Sequence, residues 1–464
     1  MRTALILALM LALGSAASAA TDPLDGLEPS SSAPFRISGT GVINDSTHPV
    51  RPVSFRPIAA SIRIAIDPAA GEASIEIAWG EGDDKQIERY YVRNGRIFQV
   101  DDKGQELGAG SLADVSAAAV AALHPALVAN AMRENRQNLR LDRPGIYLFA
   151  WNDALWTVAT DAKGSRITSL KRQDFDEIHG DGYEEVLFGS SPARVIVKVR
   201  GREAARFDFG APELISGVGI PAGDSRRDRG HAVSASAITL TELAPHLFTI
   251  DLASLKTRVM VAEFADYVVV IEGAYNARIG DLLVRAIREK LGKPIRYFAF
   301  SHLHGQYVGS TRSFVAEGAT ILVPPTTAPL IEEISKAPNT LQPDALSRTP
   351  RAPKIEKVNT LRSLEDATNA LEIFNVVSEH TDEYFIFWFP GPKILLTGDL
   401  LFYRPGRPLT GRSKRICRTV SELGLQPERY VATWPLDGAG TKNIVSGEAM
   451  REACGAFFEA APSP

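Results

Sequence analysis

The chain has 464 residues, more than one ordinary domain needs, so two or three domains are expected. Apolar content of 45% and charged content of 23% are those of a globular protein with length enough for a large core. A formal net charge of −4 supplies no basic field and argues against a nucleic-acid partner, and no apolar run is long enough to span a bilayer.

In chain order, residues 1–20 carry the pattern of a signal peptide: Arg2, an apolar run over 4–13, and Ala17-Ser18-Ala19 ahead of the cut. The mature protein is therefore expected to be periplasmic or secreted. The Pro-, Ser- and Asp-rich start of the next segment, 21–35, suggests a disordered leader. From about Phe35 to Gly210, within a domain expected to span 21–210, the pattern is mostly period two. Residues 61–67 and 73–79 flank a turn at Pro68-Ala69-Ala70-Gly71, and 89–100 repeats the hairpin signal around Asn94-Gly95. Further strands are predicted over 146–157, 165–171 and 193–199, and one helix over 111–132, with Ser111 and Asp114 at capping-box spacing. The result is a mainly antiparallel β-rich N-terminal domain with a helical insertion. Its aromatics (Tyr90, Tyr91, Tyr147, Phe149, Trp151, Trp156) either fill its core or line a ligand groove. Residues 211–236 include Asp224-Ser225-Arg226-Arg227-Asp228-Arg229-Gly230, a linker composition.

From 237 to 464 strands and helices alternate, which predicts layered packing. Strands are expected at 258–263 and 267–271. A helix over 276–291 places Ile279, Leu282, Leu283, Ile287 and Leu291 on one face and stops at Gly292 and Pro294. A buried strand over 295–300 then runs into Ser301-His302-Leu303-His304. Two histidines at i, i+2 on a strand end either chelate one metal through neutral imidazole or sit on the surface beside a turn. Beyond them come a helix at 311–317, a strand at 320–323, a helix at 329–336 and a Pro-rich stretch, 337–353, expected to be a mobile loop. Strands at 372–377, 383–389, 394–397 and 429–434 and a helix at 446–460 complete the chain. Cys417 and Cys454, its two cysteines, either pair in an oxidising compartment or remain buried thiols.

Four ordered blocks of this half resemble the metallo-β-lactamase fold superfamily. They are Val269-Val270-Ile271-Glu272-Gly273, Ser301-His302-Leu303-His304-Gly305-Gln306-Tyr307-Val308-Gly309, Glu379-His380-Thr381, and Leu396-Thr397-Gly398-Asp399-Leu400-Leu401-Phe402. The resemblance implies an α+β protein, with a C-terminal αββα metallo-β-lactamase-like sandwich behind the β-rich domain. It implies His302, His304 and His380 as the ligands of the family's first metal, with Asp399 beside them. It also implies departures. Gln306 stands where the family has aspartate and Tyr307 where it has histidine, and no histidine follows His380. These are the second metal's own ligands, so one zinc per chain is expected.

Three imidazoles suit zinc, and an open fourth position lowers the pKa of water there to about 7. If Asp399 closes the site instead, it is structural. Tyr307 is either a phenol donor to a developing oxyanion or an aromatic filling the space of the lost metal. Arg404, Arg407 and Arg412, in a basic run after Asp399, are candidates for binding a phosphate or carboxylate, or belong to a solvated loop. Two functions remain open at this point: a one-zinc hydrolase of esters, lactones or similar small substrates, with Asp399 and Tyr307 as catalytic groups, and an inactive member of the fold that binds a ligand or partner.

Overall fold

A computed structural model describes residues 24, 26–27, 33–44, 58–79, 86–93, 96–100, 106–110, 124–151, 154–172, 185–189, 194–199, 202–219, 233–337, 339, 343–378, 381–436 and 440–455. Side chains at 86, 96–99, 106–110, 150–151, 154–155, 172, 199 and 202 are outside the description.

The N-terminal strands form one antiparallel sheet, fourteen-stranded among the described residues, in which two meanders join through a non-sequential pair. Phe35–Ile43 lies at its middle, paired on one side with Ile58–Asp67 and on the other with Arg202–Phe209. The period-two pattern sets the register. Ile62, Ile64 and Ile66 enter the core while Ser61 and Arg63 face solvent. The helix Pro125–Glu134 packs Leu127, Val128 and Met132 into that core. Tyr90, Tyr147, Phe149 and Trp156 fill it, Tyr91 is half-buried, and the Trp151 side chain is outside the description.

Several expectations change here. The helix begins at Pro125, where His124 supplies the N-cap; residues 111–123, with Ser111 and Asp114, lie outside the described residues, as do Asn94 and Gly95. The single strand expected over 146–157 is two antiparallel strands, Ile146–Trp151 and Ala154–Thr160, and Asn152 and Asp153 between them lie outside the described residues. The leader is not without structure: Leu24 and Leu27 are 2% and 4% exposed in the core, and Arg133 donates to the Leu27 carbonyl. Its polar composition hid two apolar anchors.

The C-terminal strands form two sheets. The first is seven-stranded, ordered Thr241–Ala244, Leu247–Leu252, Thr257–Glu263, Val268–Ile271, Ile295–Ala299, Thr320–Val323 and Lys354–Lys357. Its last four strands run parallel. The second is six-stranded, ordered Leu361–Glu365, Ala370–Val376, Tyr384–Phe389, Ile394–Leu396, Arg429–Val431 and Ile444–Ser446.

Alternation along these strands builds four layers. Met260, Val269, Ile271 and Ala299 of the first sheet share a core with Ile373, Phe385, Phe387 and Leu396 of the second. The opposite face of the first sheet, Val259, Val270 and Phe298, packs under the helices Ala277–Leu291, Thr311–Glu317 and Ala328–Lys336. The opposite face of the second, Tyr384, Ile386 and Leu395, packs under the helices Gly411–Glu422 and Gly447–Cys454, which the Cys417–Cys454 disulfide joins. Strands covered on both faces lose the polar half of the alternation, which is why Val268–Ile271 and Tyr384–Phe389 are buried at every position.

Gly292 ends the helix Ala277–Leu291 as its sequence predicts, and Asn276, expected as its first residue, is its N-cap. The stretch 337–353 departs from the mobile-loop expectation. Within it Asp344 is 7% exposed and forms a two-pronged ion pair with Arg312, and Ala345–Arg348 is helical. The helix Gly411–Glu422 occupies part of the basic run where a loop was one reading.

Candidate metal centre

The site lies beyond the carboxyl ends of four strands, where α/β sheets place ligands. Val268–Ile271 leads to Glu272, Ile295–Ala299 to Ser301, His302 and His304, Ile394–Leu396 to Gly398 and Asp399, and Arg429–Val431 to Thr433. The rigid strand ends fix the backbones and the short turns beyond them let the side chains converge.

His302, His304 and Asp399 each bring one ligand atom into a group whose members lie within 4.8 Å of one another. His302 and Asp399 are each 2% exposed and His304 is half-buried. His302 Nε2 lies 3.6 Å from Asp399 Oδ2, and its Nδ1 lies 3.0 Å from Ser301 Oγ. That second contact orients the ring, as outer partners of metal-binding histidines do. Two imidazoles and a carboxylate, buried together at this spacing, fit a zinc ion by donor type. His380 lies outside the described residues.

Glu272 supports the histidine turn from beneath. Its Oε2 accepts from the Ser301 amide at 3.1 Å, and Thr433 Oγ1 donates to its Oε1 at 3.4 Å. Complete burial pushes its carboxyl up to about 8. Its backbone sits at φ 65°, a strained conformation for a side-chain-bearing residue. Gly273 follows because a Cβ there would meet the Tyr307 carbonyl at 2.6 Å.

Tyr307 is fully buried, its ring 5.2 Å from that of His302, and its hydroxyl makes no hydrogen bond of ordinary geometry among the described residues. Burial first, then the carboxylates of Asp399 and Glu272, holds its phenol well above the ordinary value, so it stays protonated. Gln306 is half-buried on the short helix Gly305–Val308. Arg412, on the helix Gly411–Glu422, reaches to 3.8 Å from Asp399 Oδ2 with its guanidinium 5.9 Å from the Phe402 ring centre. Arg404 and Arg407 are exposed on the preceding turn.

Tyr384, Glu272, Ser301 and Thr433 were not singled out as site residues from the sequence. Tyr384 opens an apolar strand and looks like core. An acid directly after four apolar strand residues, as Glu272 is, was the one available signal.

No protein-family model matches the chain, and no curated protein matches it. Among solved structures it is similar to a metallo-β-lactamase from Pontibacter korlensis, at 11% identity and a TM-score of 0.35, over 48% of this chain and 99% of that one. It is also similar to the metallo-β-lactamase FIM-1 from Pseudomonas aeruginosa in its mono-zinc form, at 14% identity and a TM-score of 0.34, over 49% and 97% of the two chains. For the metallo-β-lactamase DIM-1 exposed to ceftazidime the figures are 14%, 0.34, 48% and 98%.

Proposed function

We propose that residues 237–464 form a metallo-β-lactamase-like, metal-dependent hydrolase domain with one zinc per chain, acting on an ester, a lactone or a similar small substrate. The observation that carries this reading is the convergence of His302, His304 and Asp399 at the strand ends. His380 is the proposed further ligand. Residues 21–210 form the separate β-rich domain, 211–236 the linker and 1–20 the signal peptide. The Cys417–Cys454 disulfide supports a periplasmic or secreted location, since such bonds persist in oxidising compartments. No helix among the described residues is long and apolar enough to cross a membrane.

A zinc ion held there would act as a Lewis acid toward the substrate carbonyl and make a nucleophile available from water near neutral pH. The chain's own groups do the rest. Asp399 presents Oδ2 beside His302, where it would hold a metal together with His302 and His304 and would accept a proton from the attacking water. Arg412 steadies that carboxylate and meets an anionic group on the substrate, with Arg404 and Arg407 farther out on the rim. Tyr307, kept protonated, walls off the inner side of the site and offers its phenol to the developing oxyanion.

The test is elemental analysis of protein purified without added metal or chelator, followed by an ester and lactone panel. One zinc per chain with hydrolysis is the expected result. Two metals overturn the single-site reading, none overturns the metal site, and one zinc without hydrolysis of any panel member makes the domain a binding protein.

A further inference from the structure

Tyr384 touches both ends of Asp399. Its hydroxyl accepts from the Asp399 amide at 2.9 Å and lies 3.0 Å from Asp399 Oδ1 and 3.1 Å from the Thr397 carbonyl. One phenolic proton faces these two acceptors, and the charged carboxylate makes the stronger bond. The ring lies nearly parallel to that of His302, with centroids 4.6 Å apart. The backbone is shaped to admit this hydroxyl. Gly398 sits at φ +59°, and a Cβ on it would fall 2.0 Å from the Tyr384 oxygen.

We propose that Tyr384 is a positioning residue which, by binding Oδ1, commits Asp399 to present a single oxygen, Oδ2, toward His302. This rests on the metal-site reading given above. A carboxylate left to swing offers either oxygen or both to a metal. One pinned by a phenol on one oxygen and an amide bond on the backbone offers one atom in one direction. The same side chain stacks its ring on His302, so one residue sets the geometry of two. The arrangement also makes Gly398 and Tyr384 interdependent, since the small residue exists where the phenol oxygen needs the space.

An orientation-sensitive test follows from amide chemistry. In Asp399→Asn, a phenol that donates to Oδ1 holds the amide oxygen to itself and turns the NH2 group toward the metal, where it cannot ligate. In the double variant Tyr384→Phe with Asp399→Asn, the amide is released to turn its oxygen to the metal. Zinc affinity of the full chain is measured by competition with a chromogenic chelator, with circular dichroism to check the fold. Tyr384→Phe is expected to weaken zinc about 10–100-fold, the usual cost of losing an outer partner. Asp399→Asn is expected to weaken it further, and the double variant to bind more tightly than Asp399→Asn alone. Should Tyr384→Phe fail to fold, Gly398→Ala displaces the same hydroxyl and is expected to weaken zinc comparably. Wild-type affinity in Tyr384→Phe or in Gly398→Ala overturns the proposal, and so does a double variant weaker than Asp399→Asn. Wild-type protein that binds no zinc overturns the metal site itself, a different result from any of these.

Discussion

The two halves bury different chemistry. Among the described residues, every buried polar or charged side chain lies at Thr249 or beyond. The core of the N-terminal sheet is aliphatic and aromatic throughout, from Leu24 to Phe209. Buried polar groups cost free energy unless they are paired, so a chain retains them where they do something an apolar residue cannot. In the C-terminal sandwich some are structural, as with Arg312 and Asp344. Others gather at the strand ends around His302 and Asp399. The contrast places the candidate chemistry in one half and leaves the other, among the described residues, an apolar interior in which Tyr90, Tyr147, Phe149 and Trp156 pack.

The largest effect that would break this contrast is loss of the metal. His304→Ala removes one of three converging donors and is expected to abolish zinc binding, read by elemental analysis, while the unfolding of the N-terminal sheet is unchanged. Retained stoichiometric zinc would move the site elsewhere. Asp399→Asn comes next. At zinc concentrations that fill the site, turnover on any ester or lactone found to be a substrate should fall about 10²–10⁴-fold, the range for a positioned acid–base group. Unchanged turnover under those conditions removes Asp399 from the chemistry.

How much of this was legible in the sequence follows the same divide between apolar and polar burial. The helix Thr311–Glu317 and the strand Thr320–Val323 have the bounds that periodicity and Gly318 predict. The helix Ala277–Leu291 announces itself through its apolar face and Gly292. Among the elements that escaped, two are dominated by charge: the edge strand Lys354–Lys357, and the helix Gly411–Glu422, whose apolar residues Ile416, Cys417 and Val420 are buried beneath a basic surface. The histidine pair stood out by its i, i+2 spacing at the end of a buried strand, and Asp399 only through the resemblance of its block. Tyr384 did not, because an aromatic at the start of a buried strand is what packing alone would choose. Its role depends on a hydroxyl contact fifteen residues along the chain, which periodicity does not encode.

A third prediction sharpens the distinction between structural and site polarity. Arg312 is 2% exposed and donates to both Asp344 oxygens and to the carbonyls of Ile334 and Ala337, each at 2.8 Å. Arg312→Ala leaves a buried carboxylate without its counter-charge, and breaking such a pair costs about 3–5 kcal/mol. Denaturant unfolding should show that loss in the C-terminal transition, with the N-terminal transition unmoved. Arg312→Lys should recover only part of it, because an ammonium cannot reproduce the planar fork. A cost below about 1 kcal/mol, the scale of an exposed pair, would mean that the 337–353 stretch is held by something else.

The smallest effect concerns His124, the one histidine of the N-terminal half among the described residues. His124 caps the helix Pro125–Glu134, its Nδ1 accepting from the Ala126 amide at 3.1 Å, with its ring edge-on to Phe35 at 5.3 Å. Burial lowers its pKa from 6.5 to about 4. The sign follows from which state takes up the proton first. As pH falls below 6.5 the unfolded chain protonates this histidine while the folded one does not, so stability is full above 6.5 and is lost progressively as pH falls through about 4. Protonation also removes the cap, since a protonated Nδ1 cannot accept. A lost N-cap costs about 1 kcal/mol, so hydrogen-exchange protection over the helix should fall about fivefold between neutral and acid pH, after correction for intrinsic exchange. His124→Asn keeps a capping acceptor and does not titrate, and its protection should be flat over that window. If both proteins lose protection in parallel, the titrating group is another, and the sheet's interior is less uniformly apolar than its burial pattern implies.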